Sequence, residues 1–537
     1  MRFNALFHLT AAAQVGFLGL AAASLSGVPR DPLVSRQDDV VPTAEENERA
    51  AQIKDAFTTA WEGYYTYAFP NDELRPLNRT FVSNYNGWGL TLVDALSTAS
   101  VMGLQSIVDR SLEFIPTIDY THDSTDQACS LFETNIRHIA GLLSAHDLLT
   151  GPLAHLVKNE TQAAALLPQA RLLADTLKFG FDTPTGIPAN GLYVNNGSTD
   201  GATDNNIAQA GTLVLEWTRL SDLTGDPQYG ELAQTAEDFL LNPRGAFGQP
   251  FPGLIGGEIN ITTGRFTSEQ GGWIGGVDSF YEYLIKMFVY DPTRFEFYKD
   301  RWVTAVESSI KYLESHPTSR PELTFLAFHN GSRIVGYSEH LACFDGGSFI
   351  LGGLVLQEQR YVDFGLKLVD GCEAIYNQTL TGLGPDVFRW DPAATNSTNQ
   401  TISRTPIPAN QTSFYQRAGF WIEDGGYGIG PEALESFYYA YRATGDRRYQ
   451  DYIWHAFQNL REYAGIGTVG FSTLEDVNAP AGGGFGNYQP SFFLAETLKY
   501  AYLAHAPAAA VHVGAGQTAD AQEWVFNTEA HPMRVVR

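Results

Sequence analysis

Asp278-Ser279-Phe280-Tyr281-Glu282-Tyr283 is echoed twice downstream, by Glu435-Ser436-Phe437-Tyr438-Tyr439-Ala440-Tyr441 and by Pro490-Ser491-Phe492-Phe493-Leu494-Ala495-Glu496. Each copy sits in a segment whose apolar residues recur at helical spacing. A second echo links Thr224-Gly225-Asp226-Pro227-Gln228-Tyr229 with Thr444-Gly445-Asp446-Arg447-Arg448-Tyr449. In both, a helical pattern runs into the Gly turn and another follows, which predicts a helix hairpin. Such hairpins cannot bury their apolar faces singly, so repeated ones stack into a ring or a solenoid. Acids recurring on these helices would converge at one end of a ring. The plainer reading makes them solvated acids flanking core aromatics.

The chain closes on Trp524-Val525-Phe526-Asn527-Thr528-Glu529-Ala530-His531-Pro532, an apolar strand that stops at an amide, a hydroxyl and a carboxylate. A strand entering a core and ending this way delivers oxygen donors, which hard cations such as Ca²⁺ prefer. An edge strand with solvated polar residues is the alternative.

At 537 residues, 44% hydrophobic and 13% aromatic, the chain can bury a large core. A formal charge of -26 excludes partners that select a basic surface, nucleic acid and anionic membranes above all. Neutral substrates fit better. The N-terminus has one early cation, Arg2, and an apolar segment from Leu9 to Ala23, shorter than the about 20 residues of a membrane span. This pattern predicts a secretory signal peptide over 1–26, followed by a polar, proline-containing linker over 27–44. No stable membrane span is expected. Nine Asn-x-Ser/Thr sequons, at Asn78, Asn159, Asn196, Asn260, Asn330, Asn377, Asn396, Asn399 and Asn410, point to the same compartment. Cys129, Cys343 and Cys372 allow one disulfide and one leftover thiol, and counting does not choose the pair.

Helical patterns dominate from Ala51 to Tyr67, Leu131 to Leu149 and Leu213 to Leu223. Asp391 to Thr412, rich in Asn, Thr and Pro, reads as a glycosylated surface loop, and Ala504 to Ala521 as an Ala/Gly-rich connection. Gly482-Gly483-Gly484 is not followed by Lys-Ser/Thr, so no phosphate loop is present.

Several segments, in order, resemble class I α-1,2-mannosidases, glycoside hydrolase family 47, and most closely its secreted fungal branch. They are Asn71-Asp72-Glu73-Leu74-Arg75-Pro76, Thr91-Leu92-Val93-Asp94-Ala95-Leu96, Phe132-Glu133-Thr134-Asn135-Ile136-Arg137, Val277-Asp278-Ser279-Phe280, His340-Leu341-Ala342-Cys343-Phe344, Pro431-Glu432-Ala433-Leu434-Glu435-Ser436, Glu496-Thr497-Leu498-Lys499-Tyr500 and Phe526-Asn527-Thr528-Glu529-Ala530-His531-Pro532. The resemblance implies an all-α fold, an (α/α)7 barrel over 45–537 plugged at one end by a C-terminal β-hairpin. It also implies Ca²⁺ held by Thr528 through hydroxyl and carbonyl, with Glu496 and Glu529 on the metal's waters or the sugar and Phe492 against the sugar's apolar face. Of the implied acids, Glu432 is the base of an inverting hydrolase and Glu133 the acid, with Asp278 a third essential carboxyl also considered for protonation. Arg137, His340 and Glu435 join the substrate contacts, although Glu435, like Glu282, can instead orient neighbours. Cys343 and Cys372 match the family's disulfide, leaving Cys129 free.

These residues also have plainer readings: Glu133 and Arg137 have the spacing of a helix-surface ion pair, and Glu432 sits where an acid favours a helix start. Three departures touch the site: Gly430 stands where many members carry Arg, Gln489-Pro490-Ser491 replaces Met-Glu-Ser, and Ser97 replaces an acid. Gly276 occupies a place where the endoplasmic-reticulum enzymes carry a restricting Arg, so broader trimming is expected. The resemblance therefore implies a monomeric, secreted or lumenal exo-α-1,2-mannosidase acting on high-mannose N-glycans or related mannosides. Alternatives are a catalytically impaired mannose-binding lectin of the same fold and a toroidal hydrolase of another polysaccharide.

Overall fold

A computed structural model describes residues 41–393, 401–513 and 518–537. The expected signal peptide over 1–26, most of the expected linker over 27–44 and the sequons at Asn396 and Asn399 lie outside the described residues. Capping sets the first boundary: the Thr43 hydroxyl accepts from the Glu46 amide while the Glu46 carboxylate accepts from the Thr43 amide, and the helix Ala44–Tyr67 begins there.

Seven helical segments form an inner ring. They are Leu90–Val101, the run from Leu131 through Leu149, the run from Ile207 through Thr224, Asp278–Tyr290, Asp345–Val355, Glu432–Thr444, and the run from Phe493 through His505. Each packs on the next, and the last returns to the first, which closes the barrel. Their sequences show why they lie inside. Every residue of Leu90–Val101 and of Asp345–Val355 is buried, so neither helix has a solvent face.

Seven outer helices pack on them: Ala44–Tyr67, Gln105–Phe114, Leu166–Leu177, Gln228–Leu241, Glu296–Ser308, Gln359–Asn377 and Arg447–Tyr463. These bury only a stripe. In Arg447–Tyr463 it runs through Tyr449, Ile453, Ala456, Phe457 and Leu460, and charged residues take the other face. The echoed Thr-Gly-Asp motifs make the turns, with Gly225 and Gly445 left-handed at φ 70° and 65°. Both aspartates then accept from amides of the next helix, at Gln228 and Arg448. At one inner–outer crossing a Cβ on Gly365 would come 2.7 Å from the Gly346 carbonyl, so only glycine permits that approach.

Short sheets of two to four strands decorate the loops, and none of them closes. Part of the Asp391–Thr412 stretch is strand, not loop: Thr401–Ser403 pairs in parallel with Arg333–Val335. The terminal hairpin, Trp524–Phe526 with Pro532–Arg534, packs against the inner helices Asp278–Tyr290 and Ala140–Leu149. Its turn is braced from within, the Asn527 side-chain oxygen accepting from the Glu529 and His531 amides. The Asn527 amide group then donates to the Ile136 carbonyl and to Glu216. Thr528 is the only residue from Val525 to Met533 that is not fully buried.

Cys343 and Cys372 are disulfide-bonded, Cα to Cα 5.8 Å, tying the turn before one inner helix to its outer partner. Cys129 is a buried thiol, pushed up to about 11 by burial, so it is no nucleophile. Sequon asparagines at 78, 159, 196, 330, 377 and 410 are exposed and Asn260 is half-buried. Among the described residues no helix is long and apolar enough to cross a membrane.

Candidate active site

Two adjoining lobes open inside the ring. The first, about 310 Å³, is lined by Glu133, Arg137, Asp278, Glu282, Glu432, Glu435, Glu496, Thr528 and Glu529 among others. The second, about 370 Å³, shares Arg137, Glu432, Glu496 and Glu529 and adds His340, Phe492, Glu339 and Asp386. All ten residues singled out for catalysis, substrate or metal thus face one continuous space. The acids on the echoed helices are not solvated flanks of a core: Glu435 and Glu496 are buried and point inward.

Two helices meet this space with an extra residue in their turn. Asn135–Ile139 and Phe493–Thr497 are π-helical, and they carry Arg137 and Glu496. A π turn shifts the helix face by one residue at that point, which explains their frequency at functional sites. Glu133 lies one turn upstream, its amide capped by the Ser130 hydroxyl.

Arg137 organises one wall. Its guanidinium is 2.9 Å from Glu133 and 2.7 Å from Glu529, and it lies 5.4 Å from the Phe492 ring centre. The four-residue spacing of Glu133 and Arg137 does produce an ion pair, but one that joins a buried guanidinium to a half-buried carboxylate and faces the cavity. Neighbouring carboxylates keep this cation charged despite its burial.

Asp278 opens the helix Asp278–Tyr290 and accepts from the Ser279 amide at 2.8 Å. Burial, aided by the charges of Glu282, Glu339 and Glu432, pushes its carboxyl up to about 7. Near neutral pH it can therefore hold and release a proton. Glu432 faces the same cavity at the start of its helix, with His340 Nδ1 2.9 Å from its Oε2. A Cβ on Gly430 would come 2.6 Å from that oxygen, so an arginine stem would have to displace the Glu432 carboxylate. A Cβ on Gly276 would meet only Asn206, at 3.7 Å or more, but φ there is 83°, which strains any side chain.

At the hairpin tip the donors are all oxygen. Among the described residues no three His, Cys, Asp or Glu converge tightly enough to grip a metal directly. A cation here would instead take the Thr528 hydroxyl and carbonyl and reach the surrounding carboxylates through water, a hard-ion arrangement. The local charge fits that role: Glu496 is raised by burial and by Glu529, and Glu529 is pushed up to about 8 by burial against the pull of Arg137. Burial likewise takes Glu435 to about 8, with Lys286 opposing and Glu282 adding to the rise. Clustered carboxylates with too little positive charge are what a divalent cation relieves.

Of the layer beneath the tip, sequence reading singled out only Ser97 and gave no role to Asp94, Lys499 or His531. Asp94 binds His531 Nε2 at 2.9 Å, the Ser97 hydroxyl meets His531 Nδ1 at 3.0 Å, and Lys499 donates to Ser97 at 2.9 Å and to the Ala530 carbonyl at 2.5 Å. All four side chains are buried. The Lys499 ammonium bonds a hydroxyl and a carbonyl rather than a carboxylate, and burial lowers it to about 7. Between pH 7 and its ordinary 10.5 the unfolded chain binds the extra proton, so this group's contribution to stability rises with pH through that window. Ser97→Asp gives the ammonium a counter-ion. We expect it to stabilise the fold by on the order of 2 kcal/mol at pH 6 and by clearly less at pH 9. Thermal unfolding at the two pH values checks this, and an equal or reversed effect would refute it.

Residues 56–535 match the sequence model of Glycosyl hydrolase family 47. The chain is 51% identical, over 96% of its length and 97% of the relative's, to a probable mannosyl-oligosaccharide alpha-1,2-mannosidase 1B of Aspergillus clavatus. It is 52% identical to the mannosyl-oligosaccharide alpha-1,2-mannosidase 1B of Aspergillus oryzae, over 91% of this chain and 92% of that one. The solved structure of an alpha-1,2-mannosidase from Trichoderma reesei superposes with a TM-score of 0.88 at 45% identity, covering 93% of this chain and all of the other. With that coverage, and with the acids of the echoed helices gathered in one cavity, this chain belongs to glycosyl hydrolase family 47.

Proposed function

We propose that the chain is a calcium-dependent, inverting exo-α-1,2-mannosidase that trims terminal α-1,2-linked mannose from high-mannose N-glycans, as a monomer in the secretory lumen or outside the cell. Its α-1,2-mannosidase activity rests on the close relatives that carry that name. One observation carries the rest: an acidic cavity whose floor is a buried hairpin tip with a single half-exposed threonine. A blind cavity accepts the end of a glycan and not its middle, so the action is exo.

In this reading Glu432, beside His340, takes a proton from water as the water oxygen bonds to the anomeric carbon. The glycosidic bond breaks on the opposite face, and its oxygen receives a proton from the Asp278–Glu133 side. Asp278 stores that proton near neutral pH. Arg137 fixes Glu133 and Glu529, and Phe492 packs on the sugar's apolar face. Bound Ca²⁺ would orient the sugar's hydroxyls at Thr528. The exposed sequons support passage through the secretory pathway.

Proton NMR of α-1,2-mannobiose hydrolysis tests the reading, with added Ca²⁺ and with chelator in parallel. The expected product is β-mannose first, mutarotating later, and none with chelator. α-Mannose appearing first would refute inversion. Calcium-dependent glycan binding without hydrolysis would favour the lectin, a reading that rests on Gly430 beside the Glu432 carboxylate.

A further inference from the structure

A hollow of about 370 Å³ opens between the outer helices Gln359–Asn377 and Arg447–Tyr463, and no residue lines both it and the substrate cavity. Its lining mixes aromatic rings with polar groups. Phe437 of the inner ring is buried at its floor, and half-buried Tyr452 stands over it with ring centres 5.4 Å apart. Glu373, His455 and Asn459 supply polar atoms around these rings. Aromatic surface with a few hydrogen-bonding groups beside it suits a pyranose, which has an apolar face and a rim of polar substituents.

The sequence names the sugar nearest to hand. Asn377 lines the same hollow, is exposed, and opens the sequon Asn377-Gln378-Thr379. Its carboxamide is oriented by two partners: Oδ1 accepts from Gln378 Nε2 at 2.6 Å, and Nδ2 donates to Glu373 Oε2 at 2.6 Å. The nitrogen that carries the sugar in an N-glycan is therefore turned toward a wall of the hollow. A glycosylated amide keeps one N–H, so the bond to Glu373 survives the modification and directs the first sugar toward Tyr452. The rest of the sequon is held as well. The Thr379 hydroxyl lies 3.0 Å from the Tyr376 carbonyl and 2.8 Å from that of Leu383, which fixes the chain at the helix end.

We propose that this hollow is a seat for the protein's own N-glycan: the N-acetylglucosamine linked to Asn377 packs on Tyr452 and fills the gap between the two outer helices. The inference rests on the secretory compartment proposed above. Tethering decides whether such a seat is filled. A single free sugar on two aromatic rings binds weakly, but a covalently attached one is present at an effective concentration on the order of millimolar, so modest affinity suffices.

The full chain, secreted from a eukaryotic host, tests this by mass spectrometry. Peptide mapping should find sugar on Asn377. Carbethoxylation of His455, which is exposed and lines the hollow, should run about fivefold slower than in Asn377→Gln, as expected for a seat filled about four-fifths of the time. Exposed His122, which lies outside the hollow, should react equally in both. Trimming by an endoglycosidase that leaves only the first sugar should keep the protection, and in a Tyr452→Ala background the sugar should make no difference. If Asn377→Gln fails to fold, removal of the glycan from the folded wild type by peptide-N-glycosidase supplies the sugar-free comparison. A bare Asn377 beside other glycosylated sequons would overturn the inference. An occupied Asn377 with His455 equally reactive with and without the sugar would do the same, as would protection lost on trimming to one sugar. Sugar on none of the nine sequons would overturn the secretory reading, and the inference with it.

Discussion

Glu432→Gln should lower kcat for mannose release by about 10³ or more, roughly 4 kcal/mol of barrier, while KM changes little. The side chains are nearly isosteric, so the carboxamide can keep the place of the carboxylate beside His340 Nδ1. What the variant lacks is a group that takes a proton from water as the new bond forms. Binding contacts elsewhere in the cavity, at Arg137, Phe492 and the hairpin tip, are untouched, so an effect confined to kcat is what loss of a base predicts. Azide sharpens the test, because it attacks without giving up a proton. It should restore turnover of an activated mannoside in this variant and yield the β-mannosyl azide, with attack from the face that water uses. A loss below tenfold, or a rise in KM with kcat intact, would move the base role away from Glu432 and leave it a substrate contact.

How much of this was legible in the sequence differs from element to element. The inner ring was, because helices such as Asp278–Tyr290 and Glu432–Thr444 combine helical periodicity with a recurring Ser-Phe-aromatic pattern that only a repeated packing environment requires. The hairpin tip was legible only through the family resemblance, since an apolar strand ending in Asn527, Thr528 and Glu529 reads as readily as an edge strand with solvated polar residues. The π turns at Asn135–Ile139 and Phe493–Thr497 were not. They shift the register by one residue, which hydrophobic spacing over so short a run does not reveal. Lys499 was hidden for another reason: a lysine between Leu498 and Tyr500 reads as a solvated position, and only the closed ring shows it buried beneath the tip. The site residues therefore divide by distance from the sugar. Those facing the cavity carry motif-level signals, whereas those that hold them in place are ordinary residue types whose role appears only with the fold.

Thr528→Val should weaken calcium binding about 100-fold without disturbing the apo fold. The substitution keeps size and β-branching and deletes one hydroxyl. The turn that presents it is held by other atoms: Asn527 accepts from the Glu529 and His531 amides, and the Thr528 amide donates to the Tyr283 hydroxyl at 3.2 Å. None of these is altered, so the chelated variant and the chelated wild type should unfold together. Loaded with Ca²⁺ they should part. A ligand at 1,000 times its Kd stabilises by about 4 kcal/mol, and a roughly 100-fold weaker site would forfeit about 2.7 kcal/mol of that at the same calcium concentration. Mannose release should fall in parallel at micromolar Ca²⁺ and recover in part at millimolar, because the carbonyl and the water-mediated carboxylates remain. Equal calcium-dependent shifts in melting temperature for wild type and variant would remove the metal from Thr528. A variant that unfolds earlier even with chelator would show instead that the hydroxyl braces the hairpin. If the wild type itself ignores chelator, the acids at the tip must share protons rather than surround a cation, and the raised carboxyls of Glu496 and Glu529 would then describe the working state of the enzyme.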